Sequence, residues 1–326
     1  MSYSDLVNTI RIGSRGSQLA LWQANHIAAT LREKGHTVEI EVIRTTGDRM
    51  QQPGFVAPEG LDGKGIFIKE IEEALAVGRI DLAVHSLKDL PTTLDPRFTL
   101  AAIPPRADAR DAFVCEPYWA LHTLPHAGLV GTNSPRRRAQ LLSLRPDLRF
   151  VELRGNIDTR LRKLENGQCD ALVLACAGLD RIGRSESVHQ RFGLDELTPA
   201  PGQGALALET RSPRHPLDTD NSHRDLEIFD ALQILDHPPT RYATEAERAF
   251  LAGMGGGCEL PLGAHCYAID AHLQTWKMHA QVLSPDGEQS IQVTGESAGA
   301  EAANTFGRRI AQQLIDCGAM DLLNGD

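Results

Sequence analysis

The sequence predicts an α/β protein: two doubly wound α/β domains followed by a small α+β domain. Three observations predict it. Short apolar runs alternate with amphipathic stretches of helical period from Ile10 onward, the pattern of a mostly parallel sheet covered by helices. The alternation breaks at Pro104-Pro105 and then restarts. Beyond residue 236 it gives way to strand-like runs and a closing helix, and 326 residues exceed one ordinary domain. The expected domains are 1–103 with 205–235, then 104–204, then 236–326.

In the first domain, Ile10–Ile12 reads as a strand and Gly13–Gly16 as a turn. Ser17 is a suitable N-cap for a helix with Leu19, Trp22, Ile27 and Leu31 roughly on one face. Gly35 ends that helix, and residues 37–43 alternate as a strand does. Residues 44–65 are rich in glycine and proline, a loop of the length usual for lids or disordered segments. Phe67, Ile68, Ile71 and Leu75 mark the next helix, and residues 81–86 a buried strand that ends at Lys88-Asp89.

In the second domain, Leu129–Gly131, Phe150–Leu153 and Ala171–Ala175 read as strands. Ser134-Pro135 pairs an N-cap with proline at the first helical position, and Asn156 caps a helix that stops at Gly167. The run P-A-P-G-Q-G (199–204) is punctuation at which the chain is expected to return to the first domain.

The last domain reads as a three-stranded antiparallel sheet with helices on one face. Thr244 and Glu247 have capping-box spacing and predict a helix start. Strand-like runs at 262–269, 273–283 and 289–294 precede a helix over 299–316.

Composition narrows the function. No run of eighteen apolar residues predicts a membrane helix, and MSYSDLVNTI has none of the features of a signal peptide, so a cytoplasmic protein is expected. The cysteines at 115, 169, 176, 258, 266 and 317 include no C-x-x-C and no zinc-ligand spacing; no metal is expected. All but Cys258 are expected to be small buried hydrophobes. A net charge of −10 disfavours a general polyanion binder, and no nucleic-acid or membrane partner is expected. Arginines nevertheless outnumber lysines 27 to 6, and eight of them fall between Arg136 and Arg162.

In open α/β sheets, ligands bind beyond the carboxyl ends of the strands. Ser14-Arg15, Lys88-Asp89, Thr132–Arg138 and Arg154-Gly155-Asn156 all fall there, as the facing edges of a cleft would require. Arg136-Arg137-Arg138 opens a helix, where cations oppose the macrodipole. Either an anion sits there, a carboxylate or a phosphate, or the run is a solvated basic turn. Asp89 beside Lys88 is either a cation-stabilising acid or ordinary turn chemistry before a proline. His85, on an apolar strand, reads as a core histidine. Three glycines before Cys258 leave its sulfur sterically open, as a covalent attachment point needs; a free thiol in a flexible loop is the alternative.

Nine segments together resemble one family. They are R-I-G-S-R-G-S-Q-L-A-L-W-Q-A, G-K-G-I-F-I-K-E-I-E, D-L-A-V-H-S-L-K-D-L-P, D-A-R-D-A-F-V, G-T-N-S-P-R-R-R-A-Q-L, L-R-G-N-I-D-T-R-L-R-K-L, A-G-L-D-R-I-G, P-A-P-G-Q-G-A-L and G-G-G-C-E-L-P-L-G. Each alone is weak. In this order, from Arg11 toward the C-terminus, they resemble the porphobilinogen deaminase (hydroxymethylbilane synthase) family.

The resemblance implies two domains with the fold of periplasmic solute-binding proteins and a third that carries a covalent dipyrromethane. It implies a monomeric transferase of tetrapyrrole (heme) biosynthesis. Such an enzyme condenses four porphobilinogen molecules on that cofactor, loses ammonia each time, and hydrolyses off hydroxymethylbilane. Carried over by motif, Cys258 forms the thioether, and Lys88, Ser134, Arg136, Arg137 and Arg160 bind the cofactor. Arg15, Ser17, Arg154 and Arg11 bind substrate carboxylates, Asp89 is the catalytic acid, and Lys64 and Phe67 border a lid. The partners implied are porphobilinogen and the growing polypyrrole chain. The loop around residues 47–65 and the polar stretch 211–225 depart from the expected length. A pure solute-binding module gives no reason for the cysteine loop. A nucleic-acid binder is opposed by the negative charge and by the lack of aromatic residues among the arginines.

Overall fold

A computed structural model describes residues 9–45, 68–213, 222–256, 260–270, 272, 275–298 and 301–324. Lys64, Phe67, Cys258 and the lid segment 47–65 therefore lie outside the described residues, as does part of the stretch 211–225. The chain divides into two compact units, Met1–Pro105 with Ala205–Pro238, and Arg106–Gly204 with Pro239–Asp326.

The first unit opens with β1 (Ile10–Ser14), α1 (Gln18–Glu33), β2 (Val38–Val42), α2 (Lys69–Ala76), β3 (Leu82–Ser86) and β4 (Phe98–Ala102). Ser17 caps α1, its hydroxyl accepting from the Ala20 amide at 3.3 Å. The buried face of α1 carries Ala24, Ile27, Ala28 and Leu31. Trp22 is not on it: the residue is partly exposed and stacks on His26, four positions along the outer face.

The second unit builds its first sheet from β5 (Asp111–Val114), β6 (Leu129–Gly131), β7 (Arg149–Val151), β8 (Ala171–Ala175) and β9 (Gln190–Arg191). The helices α3 (Pro135–Leu144), α4 (Ile157–Glu165) and α5 (Cys176–Arg181) connect these strands. Successive residues of β5 alternate between two cores: Phe113 packs with Val130, Leu141 and Phe192, while Ala112 and Val114 pack with Leu153, Leu172 and Leu179.

The chain then returns to the first unit as β10 (Leu206–Arg211) and α6 (Ser222–Leu232). The two sheets share one plan. Their orders are β2-β1-β3-β10-β4 and β7-β6-β8-β5-β9. In each, three parallel strands are followed by a fourth-place strand antiparallel to both neighbours. In each, that strand comes from outside the contiguous strand–helix–strand run. Ile10, Ile12, Leu82, Val84, Leu206 and Leu208 form the core of the first sheet against α1. Each such side chain contributes roughly 1.5–3 kcal/mol when fully buried.

The last part comprises α7 (Pro238–Gly253), β11 (Leu262–Ala268), β12 (Thr275–Leu283), β13 (Ser290–Ala298), α8 (Ala303–Asp316) and α9 (Ala319–Asn324). Its sheet is antiparallel in the order β11-β12-β13. Phe250, Met278, Val282, Phe306, Ile310 and Leu314 are at its core. Gly307 brings α8 close to α7; a Cβ there would overlap the Ala246 carbonyl oxygen.

Two local expectations are corrected. The helix containing Thr244 and Glu247 starts at Pro238, not at Thr244. Pro238-Pro239 occupy the first turn, where missing amide protons cost nothing. Thr244 is inside the helix, its hydroxyl donating to the Thr240 carbonyl at 2.8 Å. Cys115, Cys169, Cys176 and Cys266 are buried as expected, but Cys317 is exposed, because it follows the last turn of α8. Among the described residues no helix is long and apolar enough to cross a membrane.

Candidate active site

At the carboxyl edge of the first sheet, the residues that follow β1 and β3 converge on a cavity of about 320 Å³. Arg15, Ser17, Gln23, His85, Ser86 and Asp89 supply its polar lining, and Ile68, Ile71 and Val84 part of its apolar wall. The local sequence explains the placement. β3 is apolar until His85-Ser86, and then turns through a short 3-10 segment, Leu87–Asp89. Leu87 is buried, which anchors the turn and leaves Asp89 exposed and Lys88 half-buried. Gln23, on the buried face of α1, donates to the Ser86 hydroxyl at 2.8 Å. His85 Nε2 lies 3.0 Å from Glu209 Oε2 on β10, and both side chains are buried.

Arg11 does not line this cavity. Its backbone amide and guanidinium bind Asp81, at the amino end of β3, over 2.8–3.0 Å. Arg224 and Arg211 reach the same carboxylate. Burial works against charge on Asp81, but these partners outweigh it and hold the carboxyl well below the ordinary range. Arg11 therefore belongs to a structural ion-pair cluster, and the substrate role expected for it is not carried forward.

In the second unit, Ser134 caps α3, its hydroxyl accepting from the Arg137 amide at 3.4 Å. Arg136 and Arg137 are nearly fully buried. Both guanidiniums converge on Asp111 at the start of β5, each within 2.7 Å. Gln203 adds a third donor to Asp111 at 2.9 Å, and Arg136 also reaches the Thr198 carbonyl at 2.7 Å. Burial alone would raise the Asp111 carboxyl; the two arginines instead drive it well below its usual range. Two guanidiniums thus share one buried carboxylate.

Arg154 follows β7 and is exposed; Arg160, one turn into α4, donates its Nε to the Gly155 carbonyl at 3.0 Å. Gly155 has φ 118, in the region that favours glycine, and a Cβ there would press on Thr159. Asn156 caps α4, accepting from the Thr159 amide at 2.9 Å.

Gln23, Glu209 and Asp111 were not singled out from the sequence. A signal existed for each: a polar residue on an apolar helix face, and an acid inside or opening an apolar strand. Arg181, at the end of α5, was also passed over. Burial pushes its guanidinium down to about 10, and its Nη2 donates to the Gly204 carbonyl at 2.7 Å.

Two family models match the chain. Porphobilinogen deaminase, dipyromethane cofactor binding domain, matches residues 10–219, and porphobilinogen deaminase, C-terminal domain, matches residues 242–316. The chain belongs to the porphobilinogen deaminase family. Porphobilinogen deaminase of Roseiflexus castenholzii is 44% identical over 98% of this chain and 99% of its own. That of Chromobacterium violaceum is 44% identical over 97% of each chain. That of Nitratidesulfovibrio vulgaris strain DP4 is 43% identical over 96% of this chain and 95% of its own. A solved periplasmic substrate-binding protein of an ABC transporter from Coxiella burnetii aligns with 71% of this chain and 94% of its own, at 16% identity and TM-score 0.41.

The cofactor of the porphobilinogen deaminase family is dipyrromethane, two linked pyrroles that each carry an acetate and a propionate. The side chains present fit it. Planar guanidinium forks bind carboxylates in pairs of hydrogen bonds, and the second unit supplies several near strand and helix ends.

Proposed function

We infer that this chain is a hydroxymethylbilane synthase. It joins four porphobilinogen molecules in turn to a dipyrromethane held through a thioether at Cys258, releases ammonia at each addition, and frees hydroxymethylbilane by hydrolysis. The observation that carries this reading is the meeting of Asp89 with Arg15 and Ser17 on one cavity, in a chain of this family.

Ser134, Arg136, Arg137, Arg160 and Lys88 would hold the cofactor carboxylates. Arg15, Ser17 and Arg154 bind the acetate and propionate groups of incoming rings. When bound, dipyrromethane supplies the free ring carbon to which the first unit is joined. Asp89 sits on an exposed turn, where an ionised carboxylate reaches pyrrole N–H groups and stabilises the positive charge that grows as ammonia leaves porphobilinogen. Preorganised charges of this kind are often the largest single catalytic contribution. Arg15 orients the ring against that carboxylate, and Ile68, Ile71 and Val84 give the ring an apolar wall to lie against.

The reading extends to a cytoplasmic monomer of three domains, 1–103 with 205–235, 104–204 and 236–326, using carboxylate and guanidinium chemistry. Intact mass tests it. Freshly purified protein should exceed its sequence mass by two linked pyrroles, and Cys258→Ala should abolish the excess. Active protein of unmodified mass would refute the reading.

A further inference from the structure

His85 and Glu209 form a carboxylate–imidazole pair that the functions above do not use. In the β3–β10 ladder His85 is opposite Ala207, so Glu209 is its diagonal neighbour on the same face, within reach of a long side chain. The contact is 3.0 Å, from His85 Nε2 to Glu209 Oε2. Glu209 is fully buried, and its other oxygen, Oε1, has no hydrogen-bond partner among the described residues. A buried carboxylate is costly unless a charge or donor compensates it. The imidazole is that donor, and with Nε2–H given to Glu209 its Nδ1 keeps a lone pair. His85 is also part of the cavity wall, 8% exposed, beside Gln23, Ser86 and Asp89.

The charged groups near the pair come from several elements. Glu72 is on α2, within electrostatic reach of Glu209 and His85 and also of Asp95 and Arg97 before β4. Arg15 after β1 and Asp89 after β3 line the same cavity as His85. Burial raises the Glu72 carboxyl and the nearby Glu209 raises it further, while His85 lowers it.

We propose that His85, oriented by Glu209, is a second catalytic residue of this cavity and accepts the proton released from the ring carbon after each new carbon–carbon bond forms. The proposal rests on the reading of the cavity as the place where rings are joined. Each addition needs such an acceptor. The ring's π electrons form the bond to the methylene carbon of the incoming unit, leaving a cationic ring with one hydrogen too many on the bonded carbon. That carbon–hydrogen bond then breaks, its electrons restore the aromatic ring, and the proton passes to Nδ1. Glu209 balances the imidazolium, and the departed ammonia or water takes the proton on. The sum is one carbon–carbon bond and one ammonium ion, with no oxidant or reductant required.

The test uses the cofactor-loaded enzyme and porphobilinogen deuterated at its free α-carbon. His85→Gln should load dipyrromethane normally by intact mass, and slow turnover by about 10²–10⁴-fold, the usual contribution of a positioned base. It should also show a primary isotope effect on turnover that the wild type lacks, because proton removal becomes the slow step. With limited porphobilinogen, intact mass should show the variant stalled low on the ladder of added rings. Glu209→Gln offers an amide that donates to Nε2 and moves the ring proton to Nδ1. It should show the same isotope effect, as expected for a wrong-tautomer variant, and it decides the matter if His85→Gln does not fold. Near-normal turnover in a loaded variant, or slow turnover without the isotope effect, would overturn the proposal. Neither result touches the reading of the site, which stands or falls on the wild-type mass.

Discussion

Arg106 and Glu247 face each other through two hydrogen bonds of 2.7 and 3.1 Å inside the second unit. Glu247 is fully buried and also accepts from the amides of Gly202, at 2.7 Å, and Cys266, at 2.8 Å. One carboxylate thus ties the segment before β5, the P-A-P-G-Q-G turn and the first strand of the C-terminal sheet to α7. Removing one member leaves the other buried and uncompensated, at a cost of about 3–5 kcal/mol. Arg106→Leu and Glu247→Leu should each lower the denaturant midpoint accordingly. The double variant should be less destabilised than the sum of the two, which a double-mutant cycle reads directly.

His265, on β11, gives this region a pH dependence. Burial pushes its imidazole down to about 4, and Arg106 adds to the effect. The folded protein therefore holds a neutral ring while the unfolded chain, with an ordinary value near 6.5, binds a proton. Stability is complete above about pH 6.5 and falls as the pH drops toward 4, by roughly 3 kcal/mol at most from this one group. Thermal melts taken across that window should separate as the pH falls, the wild type losing stability that His265→Gln, which binds no proton there, keeps. Parallel curves would show that His265 is not the group responsible.

The sequence made the repeating strand–helix plan legible because its signals are local. Ser17, Ser134 and Asn156 cap the helices read from them, and the apolar runs are strands. What was hidden depends on distant partners. Arg136 and Arg137 read as cations at a helix start awaiting an anion, since nothing local shows that Asp111, some 25 residues earlier, folds against them. Arg11 read as part of the site because it shares a motif with Arg15. Yet Arg11 is inside β1 and Arg15 is in the turn beyond its carboxyl end, and Arg11 meets Asp81 instead. Glu247 had the spacing of a cap but the chemistry of a buried anchor. A helix pattern cannot tell these apart, because the deciding partner lies on another element.

Asp111 should matter for cofactor retention as well as for folding. Its carboxylate holds both guanidiniums from one side, and Asp111→Asn leaves two buried cations without a counter-ion. The expected loss is about 3–5 kcal/mol, as for other broken buried pairs. Because the folded carboxyl is held below its ordinary range, the wild type keeps this contribution at neutral pH and loses it as the pH falls below about 4. The Asn variant should lack that acid-side slope in urea titrations. Its intact mass should show a larger fraction of protein without dipyrromethane.

Asp89 offers the sharpest separation of chemistry from structure. It is exposed on a turn anchored by buried Leu87 and Leu90, so its replacement costs little packing. Asp89→Asn keeps the shape and one acceptor oxygen but removes the negative charge that answers the cation formed when ammonia leaves. Loss of one such preorganised group typically slows turnover by about 10²–10³-fold. The variant should melt within about 0.5 kcal/mol of the wild type, as surface substitutions do, and carry its cofactor in full by intact mass. Its kcat should fall far more than its affinity for porphobilinogen, since the arginines that grip the carboxylates are untouched. Asp89→Glu, which restores the charge on a longer arm, should recover part of the rate. If Asn and Glu variants turned over equally well, charge at this position would have no part in the reaction, and the cation would have to be stabilised by another group.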